Sequence, residues 1–322
     1  LTLAAYMAVM ALDKGAGFVV AFALRHNPGD KGALDLIGNL GFILMAFGNM
    51  GLATSLVYFL RRGRFPLSEV VESTVAAGAS AGTALAALAL GAVALASVLW
   101  PGSVTLPPLD LIVPALAVVP LLLCTSYLNS AQIAEGRIGG YNLVNLLPAL
   151  LFLPVFLLFF LTGHDAVRGS IWARSLVTLL AFGAALLLAR RMLRFRPRFH
   201  GAFLKAALGY GWRANVMSLL TVLGQRLDLY LVALLAPGGL KEKAAAAGVY
   251  SLSVTLAELV WHLPDSMRDV FFSRVAGQSA EEARAFTPVV SRNLLALALL
   301  SGLLVFFPGA WLADWIFPSF VG

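Results

Sequence analysis

The feature that most constrains this chain is a recurrence, from one end to the other, of apolar stretches near or above the roughly 20 residues an α-helix needs to cross a bilayer core. Lipid offers the backbone no hydrogen bonds, so repeated stretches of this length imply helices and exclude an open sheet. Composition agrees, with 60% hydrophobic residues, 12% charged residues and a mean hydropathy of +0.87 over 322 residues. A water-soluble domain would expose too much of that surface. About nine spans are predicted, near 1–24, 33–60, 70–99, 110–134, 142–162, 170–190, 213–236, 247–273 and 286–307. Turns fall at Asn27-Pro28-Gly29, Pro101-Gly102, Pro107-Pro108 and Pro237-Gly238-Gly239. The expected class is an all-α, polytopic integral membrane bundle.

A net charge of +7 raises the question of nucleic acid. The cations answer it by sorting into short loops between spans, where they orient the protein instead. Arg61, Arg62, Arg64, Arg137, the cluster from Arg190 to Lys205, Arg213, Arg274 and Arg284 fall on one side; Arg25, Lys31, Arg168, Lys241 and Lys243 fall on the other. The positive-inside rule then places the amino terminus in the cytoplasm. One cysteine, Cys124, allows no intrachain disulfide and no cysteine-rich metal cluster. Leu1-Thr2-Leu3 carries no basic leader and reads as a helix already under way, and with Trp311 to Trp315 closing the chain after about nine spans, a fragment of a longer protein is expected.

The stretch Arg190 to Phe199, followed by Phe203-Leu204-Lys205, interleaves cations with apolar side chains and is expected along the inner headgroup surface. It divides the chain into a six-span part, 1–192, a basic linker, 193–212, and a three-span part, 213–322. Ala21-Phe22-Ala23-Leu24 before the first turn has a weak echo in Leu231-Val232-Ala233-Leu234, consistent with a repeat whose second copy is incomplete.

Ionisable residues inside spans are costly, and each is a functional hypothesis. Lys14, Arg226, Arg268, Arg292 and Arg174 remain after the loops are assigned, with Arg226 and the pair Asp13-Lys14 near mid-span and Arg174 near enough to an end to snorkel. Glu258, His262, Asp265 and Asp269 share one face of span eight, where Arg268 can pair with Asp265. Arg226 and Asp228, two positions apart, point to different faces. Against a cavity role stands a structural one, since buried ion pairs also fix helix packing. Gly38, Gly41, Gly48 and Gly51, and the run Ala76 to Gly82, read first as close-packing surfaces. No spaced histidines, phosphate-cradling glycine loop or nucleophile elbow points to an enzyme, and His164-Asp165 is too little for a site.

The stretch Gly224-Gln225-Arg226-Leu227-Asp228, continuing to Gly248-Val249-Tyr250-Ser251-Leu252 and on to Glu258, resembles the polysaccharide-biosynthesis branch of the multidrug/oligosaccharidyl-lipid/polysaccharide exporter superfamily, the Wzx-type flippases. Asn27-Pro28-Gly29-Asp30-Lys31-Gly32 before a glycine-led second span adds to the likeness. The resemblance implies a MATE-like, two-lobe transporter fold with an incomplete second lobe, seated in the bacterial cytoplasmic membrane. It implies export of a polyprenyl-diphosphate-linked glycan by alternating access, with Lys14, Arg226, Arg268 and Arg292 meeting the diphosphate. Asp13, Asp228, Glu258 and Asp265 would couple transport to protons or sodium, with no cofactor. Implied partners are membrane lipids, the lipid-linked glycan and other polysaccharide-assembly proteins. A cation-coupled multidrug antiporter, a peptidoglycan-precursor flippase and a non-transporting membrane scaffold are the alternatives.

Overall fold

The computed structural model describes residues 2–100, 108–190, 198–276 and 280–320; of residues 2–7, 259, 261–276, 280 and some later positions it describes the backbone alone. Among the described residues all secondary structure is helical. In chain order the helices are α1 (Thr2–Ala23), α2 (Pro28–Asn49), α3 (Leu52–Arg61), α4 (Leu67–Leu99), α5 (Leu109–Ala134), α6 (Ile138–Leu161), α7 (Ala166–Ala189), α8 (Gly201–Leu235), α9 (Leu240–Ala276) and α10 (Ala280–Ile316), closed by a short 3₁₀ turn at Pro318–Phe320.

Seven helices among the described residues are long and apolar enough to cross a membrane: α2, α4, α5, α6, α7, α8 and the Thr287–Phe307 part of α10. The protein is therefore an all-α, multi-pass membrane protein. Spans one and eight of the nine expected, now α1 and α9, are not among the seven. Both are long enough, and both include residues whose side chains are not described, 2–7 in α1 and 259 and 261–276 in α9. Apolar side chains on the outside match a bundle built for lipid: Leu161 is 80% exposed and Phe306 75%, the inverse of a water-soluble surface.

Three expectations are corrected by the helix boundaries. The second span, expected as one helix over 33–60, is two helices, because Met50 (φ 47°) and Gly51 (φ 72°) both adopt the left-handed conformation and turn the chain between α2 and α3. α2 begins at Pro28, not beyond Gly32: the Asn27 side chain accepts from the Asp30 amide at 3.2 Å, and Pro28 pre-sets the first helical φ. Lys31 is thus a helical residue and not a loop cation. The third concerns the seventh span, expected from 213: α8 is helical from Gly201, and Phe203 and Ala207 are fully buried. Residues 191–197 of the basic stretch lie outside the described residues.

Packing follows from small residues and prolines. A Cβ on Gly82 would meet Pro120 of α5 at 2.5 Å, and one on Gly78 would meet the Tyr127 ring at 2.8 Å, so the Ala76 to Gly82 run lets α4 and α5 touch. Pro114 inside α5 removes a helical donor; its neighbourhood is tied by the Ser175 hydroxyl of α7, which donates to the Pro114 carbonyl at 3.2 Å. Asp165 turns out to cap α7, accepting from the Arg168 amide at 2.8 Å, a structural role for the His164-Asp165 pair. The largest core gathers Phe59, Val70, Val71, Leu123, Tyr127 and Phe203 from α3, α4, α5 and α8. A second joins α1, α6 and α7, and a third seats Phe317 and Phe320 against Ala21 and Phe18 of α1.

Candidate functional site

Two close helix contacts frame the middle of the bundle. At the α1–α2 end, α2 meets α9 so tightly that a Cβ on Gly32 would lie 1.9 Å from the Ala244 carbonyl oxygen and one on Gly248 would lie 1.9 Å from that of Pro28. At the opposite end, Gly51 meets Gly211 of α8 in the same way, with would-be Cβ distances of 2.0 and 2.4 Å to the facing carbonyl oxygens. There the Ser55 hydroxyl donates to the Ala207 carbonyl at 2.7 Å, and Tyr58 of α3 stacks on Tyr210 of α8 with ring centres 4.0 Å apart.

Between these contacts lies a cavity of about 490 Å³, walled by α1, α2, α5, α6 and α7 on one side and α8 and α9 on the other. Its size suits a small molecule or a headgroup. Most of the charged residues expected in a site come together here. Lys14 of α1 donates to one oxygen of Glu258 on α9 at 3.0 Å, and Arg226 Nη1 of α8 lies 3.4 Å from the other. One carboxylate thus neutralises two cations from different helices. Their side chains are 25%, 24% and 34% exposed for Lys14, Glu258 and Arg226, so water in the cavity still screens them. By helical rise Lys14 and Arg226 lie about 14 Å in from Ala23 and Leu235, and Glu258 lies about 15 Å along α9 from Gly248, the residue that packs on Pro28 at the start of α2, so all three are near the middle of a core about 30 Å thick.

Asp13 also lines the cavity and has no ion pair or hydrogen bond among the described residues. Asp228 lines it as well, despite the expectation that it and Arg226 diverge; it accepts from the Tyr250 hydroxyl at 2.5 Å and from the Leu229 amide at 2.8 Å. Arg174, expected to snorkel, instead faces the cavity with its guanidinium 5.5 Å from the Phe152 ring centre. Arg292 is exposed on α10 and does not line the cavity. The side chains of His262, Asp265, Arg268 and Asp269 lie outside the described residues.

Two lining residues were not singled out from the sequence. Lys31, 7% exposed, pairs with Asp35 one turn along α2, and both engage Ser251 of α9, whose hydroxyl donates to Asp35 and accepts from Lys31 at 3.3 Å. The signal was present as an i, i+4 pair, but it becomes legible only once Asn27-Pro28 is taken as a helix start. Among the described residues the lining sets four cations (Lys14, Lys31, Arg174, Arg226) against four carboxylates (Asp13, Asp35, Asp228, Glu258), a strongly charged and balanced set. Among the described residues no group of histidine, cysteine, aspartate and glutamate is placed to hold a metal ion.

Compared with known protein families, with curated proteins and with solved structures, the chain matches none.

Proposed function

We propose that this protein is a flippase that moves a polyprenyl-diphosphate-linked oligosaccharide across the bacterial cytoplasmic membrane by alternating access, with its amino terminus in the cytoplasm. The observation that carries the reading is the convergence of Lys14 and Arg226 on Glu258 inside a cavity at mid-membrane depth. Charges there are costly and are kept where they act. Glu258 holds the two cations in place, and an anionic diphosphate entering the cavity offers them stronger, multiply charged oxygens. Protonating Glu258 as the diphosphate displaces it spares the cavity the uncompensated charge of that carboxylate, which gives a coupling to protons. The two-lobe, MATE-like arrangement is supported by the cavity lying between α1–α7 and α8–α9, and by the glycine contacts above and below it, which are narrow enough to part without unravelling a helix.

Pairing and cavity lining coexist at Arg226, so ion pairing alone does not reduce the cluster to a scaffold. One observation favours a second reading, a cation-coupled multidrug antiporter: unpaired Asp13 offers an organic cation a free carboxylate. Native mass spectrometry of the purified protein separates the two. For the flippase, a polyprenyl diphosphate binds at least ten-fold tighter than the neutral polyprenol, about 1.4 kcal/mol, and Arg226→Ala removes the difference. Equal binding of the two lipids, together with a lipophilic dye cation whose binding is lost in Asp13→Asn, would favour the antiporter.

A further inference from the structure

The seam between α5 and α6 carries polar groups that the charged cluster does not use. Thr125, Asn129 and Gln132 follow i, i+4, i+7 spacing and share one face of α5. Asn129 is 8% and Gln132 1% exposed, and Thr125 Oγ1, Asn129 Oδ1 and Gln132 Nε2 are all buried with no hydrogen-bond partner among the described residues. Three such atoms in one line are unusual, because buried polar groups are almost always satisfied by protein or ordered water.

The line has two ends. Thr125 and Asn145 line the central cavity, and Asn129 Nδ2 donates to Asn145 Oδ1 at 3.4 Å, which ties the stripe to the cavity wall. At the other end Gln132 lies against the bare backbone of Gly140, where a Cβ would come 2.1 Å from its Oε1, one turn before the exposed Glu135-Gly136-Arg137 turn. Helical rise separates the three polar positions by about 6 Å and about 4.5 Å along α5. A water making two hydrogen bonds of about 2.9 Å spans up to about 5.8 Å, so each gap is close to the reach of one bridging water. The chemistry also matches: Asn129 Oδ1 accepts, Gln132 Nε2 donates and the Thr125 hydroxyl does both. Leu128, Ala131 and Val144, each at most 1% exposed, belong to the largest apolar core and border these polar positions.

We propose that the α5–α6 seam holds a single file of ordered water joining the Arg137 end of the bundle to the central cavity, and that this file conducts protons. A hydronium at the α5–α6 turn passes a proton to the first water, and each water passes one of its own onward. Cavity water, and from it a cavity carboxylate such as Glu258, receives the last. Only O–H bonds form and break, and no redox partner is needed.

The route does not depend on the cargo, so its failure and that of the flippase reading are distinguishable: protein that conducts protons but flips no lipid supports the first and overturns the second. The test reconstitutes the protein in vesicles loaded with a pH-sensitive dye, imposes a potassium diffusion potential, and follows acidification in the absence of any cargo. Cryo-electron microscopy in nanodiscs then looks for water at the three atoms. Expected are water density at Thr125 Oγ1, Asn129 Oδ1 and Gln132 Nε2, and acidification at least ten-fold above protein-free vesicles. Asn129→Leu and Gln132→Leu should cut that flux about ten-fold and Gln132→Glu should preserve it, with Thr125→Val at the cavity mouth giving the same reading if a leucine variant does not fold. A dry seam, a wild-type flux no faster than that of empty vesicles, or leucine variants that melt normally and conduct like wild type would each overturn the proposal.

Discussion

Replacing Gly32 by alanine should destabilise the bundle, whereas the same replacement at Gly38 on the same helix should not. A Cβ on Gly32 would stand 1.9 Å from the Ala244 carbonyl oxygen and 2.8 Å from the Gly248 amide nitrogen. A comfortable carbon–oxygen contact is about 3.3 Å, so α2 and α9 must separate by roughly 1.4 Å. A gap of that size forfeits a large part of the local dispersion energy, and it stretches the Ser251 contacts to Lys31 and Asp35. Overpacking costs about 1–3 kcal/mol and weakened hydrogen bonds about 1 kcal/mol more, for a total near 2–4 kcal/mol. A Cβ on Gly38 meets nothing within 4 Å, and alanine there gains up to about 1 kcal/mol of helix propensity. Thermal unfolding of detergent-purified protein, followed by tryptophan fluorescence, should show Tm lower by about 3–6 °C for Gly32→Ala and unchanged or higher for Gly38→Ala. Equal shifts in the same direction would refute the close α2–α9 contact.

Other substitutions test separate parts of the structure by the same melting assay. Tyr127→Phe removes a hydroxyl that donates to the Gly48 and Asn49 carbonyls at 3.3 and 3.1 Å, where the α2–α3 turn interrupts the helical ladder, and should cost about 0.5–1.5 kcal/mol. Phe203→Ala empties a fully buried place between the rings of Phe59 and Phe65 and should cost about 3–5 kcal/mol; a loss below about 1 kcal/mol would mean that the start of α8 is not docked in the core. Lys31→Met strands Asp35 and should cost about 1–3 kcal/mol, with Lys31→Met/Asp35→Asn recovering part of the loss; additive losses would show that the pair is not coupled.

Much of this architecture was legible because lipid forces a long apolar helix to declare itself: α4 to α7 fall within a few residues of the spans read from hydropathy. The break at Met50-Gly51 was not. Its flanks are as apolar as a continuous helix, and only Gly51 hints at a turn that also requires a left-handed methionine. Lys31 was missed for a related reason, since a cation beside a proline–glycine turn looks like a loop charge until the Asn27 cap moves the helix start ahead of it. The meeting of Lys14, Arg226 and Glu258 could be suspected from their depth, but no spacing within one helix says which charges on three helices will touch. Arg174 faces inward because α7 packs against α5 and α6, a matter of tertiary contact. The α5 stripe was hidden because threonine, asparagine and glutamine in a long apolar helix look like ordinary interhelical glue.

The most direct measurement follows flipping of a fluorescent polyprenyl-diphosphate oligosaccharide in proteoliposomes, with a membrane-impermeant quencher reporting the outer leaflet, for wild type and Arg226→Ala. The expected result is transbilayer exchange well above that of protein-free vesicles, reduced at least ten-fold in Arg226→Ala while its melting temperature holds. Wild-type protein that leaves every glycan lipid in its original leaflet while expelling a lipophilic dye cation against a proton gradient would contradict it.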